Sequence, residues 1–266
     1  MIKLLLLFFF CTLCFGVDVG YLKEFNFPNK RVIKITGHPD YPPVIWNKDG
    51  TDILMGIAPE LIKKIFSEID VEVKLINTDT WGRAQVQVEK GKIDLLMPPY
   101  KNPQRVKIYN YYGDSFLQDD TVIFIRKDSN IVFEKLEDLK GKTGVAIIHD
   151  SFGAKFDEYA KSNLKVTKLP KTEQCFNFLL MGRADYMIAG LSAGLAVSKK
   201  MKITDKVRTL DKKIVETGMY LPFSFKSKWN IPQLHEYINM RIDELKKDGY
   251  INKLKQKYIK VYNSEK

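Results

Sequence analysis

The sequence predicts an α/β architecture of two lobes, or of one large unit, in which mainly parallel sheets are flanked by helices. Three observations predict it. From residue 31 onward, short β-branched runs alternate with amphipathic stretches at helical spacing, the pattern of βα units. The 266-residue chain exceeds what one compact core usually holds. No internal repeat and no low-complexity linker divides it, so two lobes would be joined by a chain that crosses between them more than once.

The strand cores fall at 31–35, 71–76, 93–97, 121–125, 145–148, 166–169, 186–189 and 207–210. Helices lie between them. The stretch 57–69 sets Leu61, Ile62, Ile65, Phe66 and Ile69 on one face, with Pro59 in its first turn. Stretches 81–90, 152–161, 173–181 and 191–201 follow the same logic. The end of the chain differs: 231–247 and 250–258 read as two helices separated by Asp248-Gly249, a strong helix stop. Polar breaks occupy 126–140 and 216–224.

Residues 1–16 read as a secretory signal: Lys3 supplies the positive start, 4–13 the apolar run, and Cys14 and Gly16 small residues at cleavage-like spacing. A membrane anchor is the alternative, but the run is about half of the ~20 residues that span a bilayer. Thr12 and Leu13 are a poor approach to a lipid-modified Cys14, so no lipid anchor is expected. Removal of the signal leaves 250 of the 266 residues and takes Cys11 and Cys14 away. Cys175 then stands alone on a helix, without a disulfide partner, as a small buried hydrophobe. The formal charge passes from +11 to +10 with the loss of Lys3. Such an excess can mark a nucleic-acid or anionic-membrane surface. Here the lysines interleave with apolar residues at helical spacing, as in Leu245-Lys246-Lys247 and Lys253-Leu254-Lys255-Gln256-Lys257, which describes a solvated helix face. Nucleic acid is not an expected partner, while a bias toward anionic ligands remains.

Local motifs follow in order. Gly37-His38-Pro39-Asp40-Tyr41-Pro42-Pro43 follows the first strand, and Gly56-Ile57-Ala58-Pro59-Glu60-Leu61-Ile62 opens a helix. Trp81-Gly82-Arg83-Ala84-Gln85 and Gly91-Lys92-Ile93-Asp94 lead into a strand, followed by Asn102-Pro103-Gln104-Arg105. Leu136-Glu137-Asp138-Leu139-Lys140-Gly141-Lys142, Gly182-Arg183-Ala184-Asp185 and Asp248-Gly249-Tyr250 complete the series. In this order and spacing the series resembles the family 3 extracellular solute-binding proteins, the periplasmic receptors of amino-acid ABC importers, over about residues 31–262. The resemblance implies a type II two-lobed periplasmic-binding fold with the ligand cleft between the lobes. Residues 31–122 and 222–262 would build one lobe and 127–216 the other, with hinges near 122–127 and 216–222. It also implies a periplasmic monomer without a cofactor or metal, whose partners are a small carboxylate-bearing ligand and a membrane ABC permease.

Ligands of open α/β sheets bind at the carboxyl ends of strands, which directs attention to the loops there. The resemblance aligns Arg105 with the arginine that holds a ligand's α-carboxylate, a task the guanidinium performs through two parallel charge-assisted hydrogen bonds; the alternative is an ordinary surface arginine. Tyr41 and Trp81 stand where relatives present aromatic rings to the ligand side chain, or else belong to the core. In His149-Asp150-Ser151-Phe152-Gly153 a strand ends and a helix begins, so backbone N–H groups and Ser151 could meet an anion there, while Asp150 or Ser151 could equally be an N-cap. His38 stands where many relatives have an aspartate. Pro98-Pro99-Tyr100 replaces the small polar residues that usually precede the arginine, and proline has no N–H to donate. Gly190-Leu191-Ser192 replaces the aspartate that takes a ligand's ammonium. A plain α-amino acid would therefore need Asp40, Asp150 or Glu216 as a substitute, and a carboxylate, dicarboxylate or modified amino acid competes with it.

Catalysis is the other class considered, because some proteins of this architecture are dehydratases or carry transglycosylase modules. The chain has no Gly-x-Ser-x-Gly, no phosphate-binding glycine loop and no His/Cys metal cluster. His235 lies in an amphipathic helix, and His149 and Asp150 are adjacent in a turn where neighbours rarely aim at one atom. A binding protein is the expectation, and a receptor feeding a signalling partner is the third reading.

Overall fold

Two mixed β-sheets, each fed by helices, organise residues 31–48 and 51–265, which this computed structural model describes. The signal expected at 1–16, with Lys3, Cys11 and Cys14, lies outside the described residues.

The chain begins with β1 (Val32–Gly37) and a small meander of β2 (Asp40–Tyr41), β3 (Ile45–Asn47) and β4 (Leu54–Met55). Helix α1 (Ile57–Ser67), β5 (Glu72–Leu75), α2 (Trp81–Glu89), β6 (Leu95–Met97), a tight turn at Arg105–Lys107 and β7 (Tyr109–Asn110) follow. Next come β8 (Leu117–Arg126), β9 (Thr143–Ile147), α3 (Ala154–Asn163), β10 (Lys165–Leu169), α4 (Thr172–Leu180), β11 (Tyr186–Gly190), α5 (Leu191–Lys200), β12 (Val207–Thr209) and β13 (Val215–Met219). The chain returns through β14 (Phe223–Ser224) to α6 (Pro232–Lys247) and α7 (Tyr250–Ser264).

The first sheet has the order β5-β1-β6-β14-β7, and the second β10-β9-β11-β8-β12 with β13 also on β8. The expectation of mainly parallel sheets needs correction. β1 is parallel to β5 and β6, and β9 to β10 and β11, because helices carry the chain back between these strands. β8 and β14 reach their sheets by short extended connections from the other sheet, and each is antiparallel to its neighbours. β8 pairs within the second sheet from Leu117 onward, and β13 pairs up to Met219, so the boundaries expected at 122 and 216 fall inside strands of that sheet.

The helices bury the faces their spacing foretells. α1 buries Leu61, Ile62, Ile65 and Phe66 completely, each side chain contributing roughly 1.5–3 kcal/mol of transfer free energy. Pro232 occupies the first turn of α6, where its missing N–H is no loss. Gly249 separates α6 from α7 in the left-handed region at φ 76°, a conformation that glycine adopts without a Cβ penalty. α7 turns Ile251, Leu254, Tyr258 and Tyr262 inward and leaves Lys253 and Lys257 exposed, the solvated lysine face expected. Cys175 is fully buried in α4, and burial pushes its thiol up to about 12.

Candidate ligand chamber

The loops at the strand ends bring all eight sequence-predicted site residues together. His38, Tyr41, Trp81, Tyr100, Arg105, Asp150, Ser151 and Phe152, with Pro98 and Gly190, line one chamber of about 20 Å³, room for a single water-sized group. A larger recess of about 530 Å³ adjoins it at His38 and Trp81 and is bordered by Thr80, His149, Lys171 and Glu173.

Arg105 is buried, not a surface arginine. Asn102 Oδ1 accepts its backbone N–H at 2.8 Å and fixes the turn that carries it. The guanidinium donates from Nη1 to the Tyr100 carbonyl at 3.1 Å, and from Nη2 to Gln85 Oε1 at 3.3 Å and the His149 carbonyl at 3.4 Å. It also lies 5.6 Å from the Trp81 ring centre, within cation–π range. Every acceptor is neutral, and among the described residues no carboxylate pairs with it. Trp81 is held in place as the first residue of α2, which Thr80 Oγ1 caps by accepting the Arg83 N–H at 3.3 Å.

His38 packs between two rings, 5.6 Å from Tyr41 at 66° and 5.0 Å from Trp81 at 32°. Its Nδ1 accepts the Asp40 N–H at 3.0 Å, which assigns the neutral ring's proton to Nε2. That atom faces Asp150 Oδ1 at 3.5 Å. Burial, with the charge of Asp119 second, holds the hydroxyls of Tyr41 and Tyr100 well above their usual range, so both stay protonated phenols.

Asp119 was missed in the sequence. It is buried on β8, where Oδ2 accepts the Tyr41 hydroxyl at 2.7 Å and Oδ1 accepts the Ser192 N–H at 3.0 Å and Oγ–H at 2.7 Å. Burial pushes its carboxyl up, against the hydrogen bonds from Ser192 and Tyr41. Strand alternation was the available signal: in the acidic pair Asp119-Asp120, Asp119 shares a face with the buried Thr121 and Ile123. Gly190 is fixed by the same neighbours, since a Cβ there would sit 1.7 Å from Tyr41 Oη and 2.6 Å from Asp119 Oδ2.

The segment at 149–153 departs from expectation in two respects. Its anion is the chain's own Asp157, which accepts the Ser151 hydroxyl at 2.5 Å and the Phe152 N–H at 2.9 Å. The helix N-cap is Gly153, neither Asp150 nor Ser151. Asn102 Nδ2 donates to Ser151 Oγ at 2.8 Å, linking this segment to the Arg105 turn. Of the substitute acids considered, Asp40 accepts the Thr172 N–H at 2.8 Å at the start of α4, and Glu216 is exposed and pairs with Lys213 at 2.8 Å. Asp150 alone of the three lines the chamber. His235 lies apart, stacked on Tyr112 at 4.3 Å. Among the described residues no group of three or more His, Cys, Asp or Glu could hold a metal ion, and no helix is long and apolar enough to cross a membrane.

The family model of the bacterial extracellular solute-binding proteins, family 3, matches residues 33–261. Among curated proteins, the L-cystine-binding protein TcyA of Bacillus subtilis (strain 168) is 21% identical over 235 residues, covering 86% of this chain and 82% of that protein. The probable amino-acid-binding protein YxeM of the same organism is 25% identical over 223 residues, covering 82% and 80%. Among solved structures, the amino acid ABC transporter substrate-binding protein AbpA of Streptococcus pneumoniae Canada MDR_19A, bound to L-arginine, superposes with a TM-score of 0.73 at 21% identity, covering 89% of this chain and 98% of that one. A histidine kinase sensor domain with similarity to periplasmic binding proteins gives a TM-score of 0.71 at 19% identity, covering 86% and 96%. The two-lobed α/β architecture is common to these folds.

Proposed function

Because the chain belongs to the bacterial extracellular solute-binding proteins of family 3, we propose that it is the solute receptor of an ABC importer and that it closes around a small carboxylate-bearing solute, an amino acid or a close relative of one. The observation that carries this reading is the state of Arg105: a buried guanidinium, hydrogen-bonded only to neutral acceptors, that lines a chamber between the two sheets. A buried charge without a counter-ion is unfavourable by several kcal/mol, and a solute carboxylate on Arg105 offsets that penalty through charge-assisted hydrogen bonds. Tyr41 and Trp81 supply ring faces for the rest of the solute.

In this reading residues 31–110 and 223–264 form one lobe and 117–219 the other. The crossing segments 111–116 and 220–222 act as the hinge. The chamber admits only a water-sized group, so a solute of amino-acid size enters when the lobes part. Bonds from one lobe to the other, Asn102 to Ser151 and Thr172 to Asp40, then hold the closed form that the permease engages. The signal expected at 1–16 and the extracellular family support export to the periplasm or cell exterior. A binding role rather than an enzymatic one is supported by the divergence of His149 and Asp150: the His149 ring lies against Gly82, while the Asp150 carboxylate faces His38.

The relatives named above make L-arginine and L-cystine sensible first probes, and L-glutamine, found bound to an ancestral arginine-binding protein of similar fold, is a third. Calorimetric titration is expected to find at least one that binds, with compaction in solution scattering, and an Arg105→Ala variant that binds it at least about 100-fold more weakly, the scale of an uncompensated buried charge. Equal affinity in the variant overturns the carboxylate assignment, and binding without compaction overturns hinge closure.

A further inference from the structure

The chamber's second polar wall holds Tyr41 and Tyr100, whose hydroxyls touch each other, and the order of the protons along them decides what that wall accepts. We propose that Asp119 is a positioning residue that makes Tyr41 and Tyr100 hydrogen-bond acceptors toward the chamber, so that the solute's second polar end is a donor, an ammonium group, and a second carboxylate is disfavoured. The proposal rests on the receptor reading above and narrows its solute class.

A tyrosine hydroxyl has one proton to donate and two lone pairs to accept with. Tyr41 Oη lies 2.7 Å from Asp119 Oδ2, and an ionised carboxylate only accepts, so Tyr41 spends its proton there. The remaining carboxylate oxygen takes both the amide and the hydroxyl of Ser192. Burial pushes the Asp119 carboxyl up, and the three donors that converge on it oppose that by favouring the ionised form. With the Tyr41 proton committed, the direct contact between the Tyr41 and Tyr100 hydroxyls requires Tyr100 to be the donor. Both protons therefore run toward Asp119, and the phenol oxygens keep only lone pairs for the chamber they line.

Gly190 permits this arrangement. The space a side chain at 190 would enter is filled by the Tyr41 hydroxyl with Asp119 behind it, so the missing acid at 190 is replaced by an acid on the adjacent strand acting through a phenol. Asp150, which also lines the chamber, contributes negative charge from the segment before α3. An amino acid placed with its carboxylate on Arg105 and its ammonium against this wall has both charges matched. A dicarboxylate would set its second anion against lone pairs.

Asp119→Asn tests the idea with no change of shape. The two Ser192 donors hold the amide oxygen in the place of Oδ1, which turns Nδ2 toward Tyr41; Tyr41 becomes an acceptor there, its own proton passes into the contact with Tyr100, and the Tyr100 proton is released toward the chamber. Calorimetry would compare L-arginine with δ-guanidinovalerate and L-glutamine with glutaramate, pairs that differ only in the amine. The expected result is that the variant binds the amino acid about 10-fold or more weakly than the wild type does and binds the des-amino acid no more weakly. Equal losses for both members of a pair, or no loss for the amino acid while Asp150→Asn abolishes its binding, would overturn the proposal. Nuclear magnetic resonance of protein labelled at tyrosine Cζ reads the proton order without a solute. Asp119→Asn should shift the Tyr100 signal, and because Tyr100 makes no hydrogen bond to Asp119 but feels its charge, Tyr41→Phe should cut that shift to the part that charge alone produces. A Tyr100 shift that Tyr41→Phe leaves unchanged refutes the relay. This arm decides the proton order even if no probe binds, a result that would overturn the receptor function and not the order.

Discussion

Gly190→Ala isolates the closing of the cleft from the stability of the fold. Gly190 has φ −63° and ψ 136°, an extended conformation that alanine adopts without strain. It ends β11, where it pairs with Thr121 of β8. The closest clash of an added Cβ is with Tyr41 of the meander, across the cleft, at 1.7 Å, and the Asp119 carboxylate of its own sheet lies at 2.6 Å, at the tip of a side chain that can turn away. The methyl group must displace a buried ring, an overpacking penalty of about 1–3 kcal/mol, and break the hydrogen bond from Tyr41 to the Asp119 carboxylate, about 1.5–3 kcal/mol. The sum is about 2.5–6 kcal/mol, and because both contributions lie in the contact with Tyr41 across the cleft, it falls on the closed form. At 1.4 kcal/mol per tenfold, solute affinity should fall by roughly two orders of magnitude or more, while urea unfolding of the solute-free protein changes by less than about 1 kcal/mol. Calorimetry on the tightest-binding solute, paired with urea titration, gives both quantities. Unchanged affinity would refute the close approach of Tyr41 to Gly190, and a large loss of solute-free stability would refute the assignment of the clash to closure.

Two further perturbations address the scaffold. Burial pushes the His235 imidazole from its ordinary 6.5 to about 4, so the folded chain binds fewer protons than the unfolded chain between these values and stability falls as the pH drops from 6.5 toward 4; in urea titrations across that window His235→Phe, which keeps the stack on Tyr112, should flatten the slope, and an unaltered slope would contradict the assignment. Asp157→Ala removes the carboxylate that ties Ser151 and the Phe152 amide to the start of α3, an expected loss of about 1–3 kcal/mol and roughly 3–10 °C in Tm by calorimetry, and an unchanged Tm would show that the tie contributes nothing.

Long periodic elements were legible in the sequence because their burial patterns repeat. The β-branched runs at β1, β5, β6 and β8 to β12 and the helical stripes of α1 to α7 coincide with the elements read from the spacing, although β8 begins earlier, at Leu117, and α7 runs past 258 to Ser264. β2, β4, β7 and β14 are two residues each, too short for a period, and exist because a neighbouring strand supplies hydrogen-bond partners. Strand direction was illegible for a related reason: β8 and β14 are antiparallel because the chain enters them from the other sheet, which composition does not record. The eight chamber residues were found from strand-end loops and motif order. Asp119 escaped because it sits inside a strand, where an acid reads as an edge or solvent-facing residue until the Tyr41 and Ser192 hydroxyls are seen around it. Asp157 escaped because an acid in the first turn of a helix has an ordinary explanation in the helix dipole, and nothing in the spacing shows that it turns back to Ser151.

The central claim is that Arg105 holds the carboxylate of a solute enclosed between two lobes. Mass spectrometry of the small molecules retained by the natively purified protein, wild type beside Arg105→Ala, tests it most directly. The wild type should retain a small solute bearing a carboxylate and an amine, at close to one per chain, and the variant should have lost it. A retained solute without a carboxylate, or one kept equally by Arg105→Ala, would contradict the account.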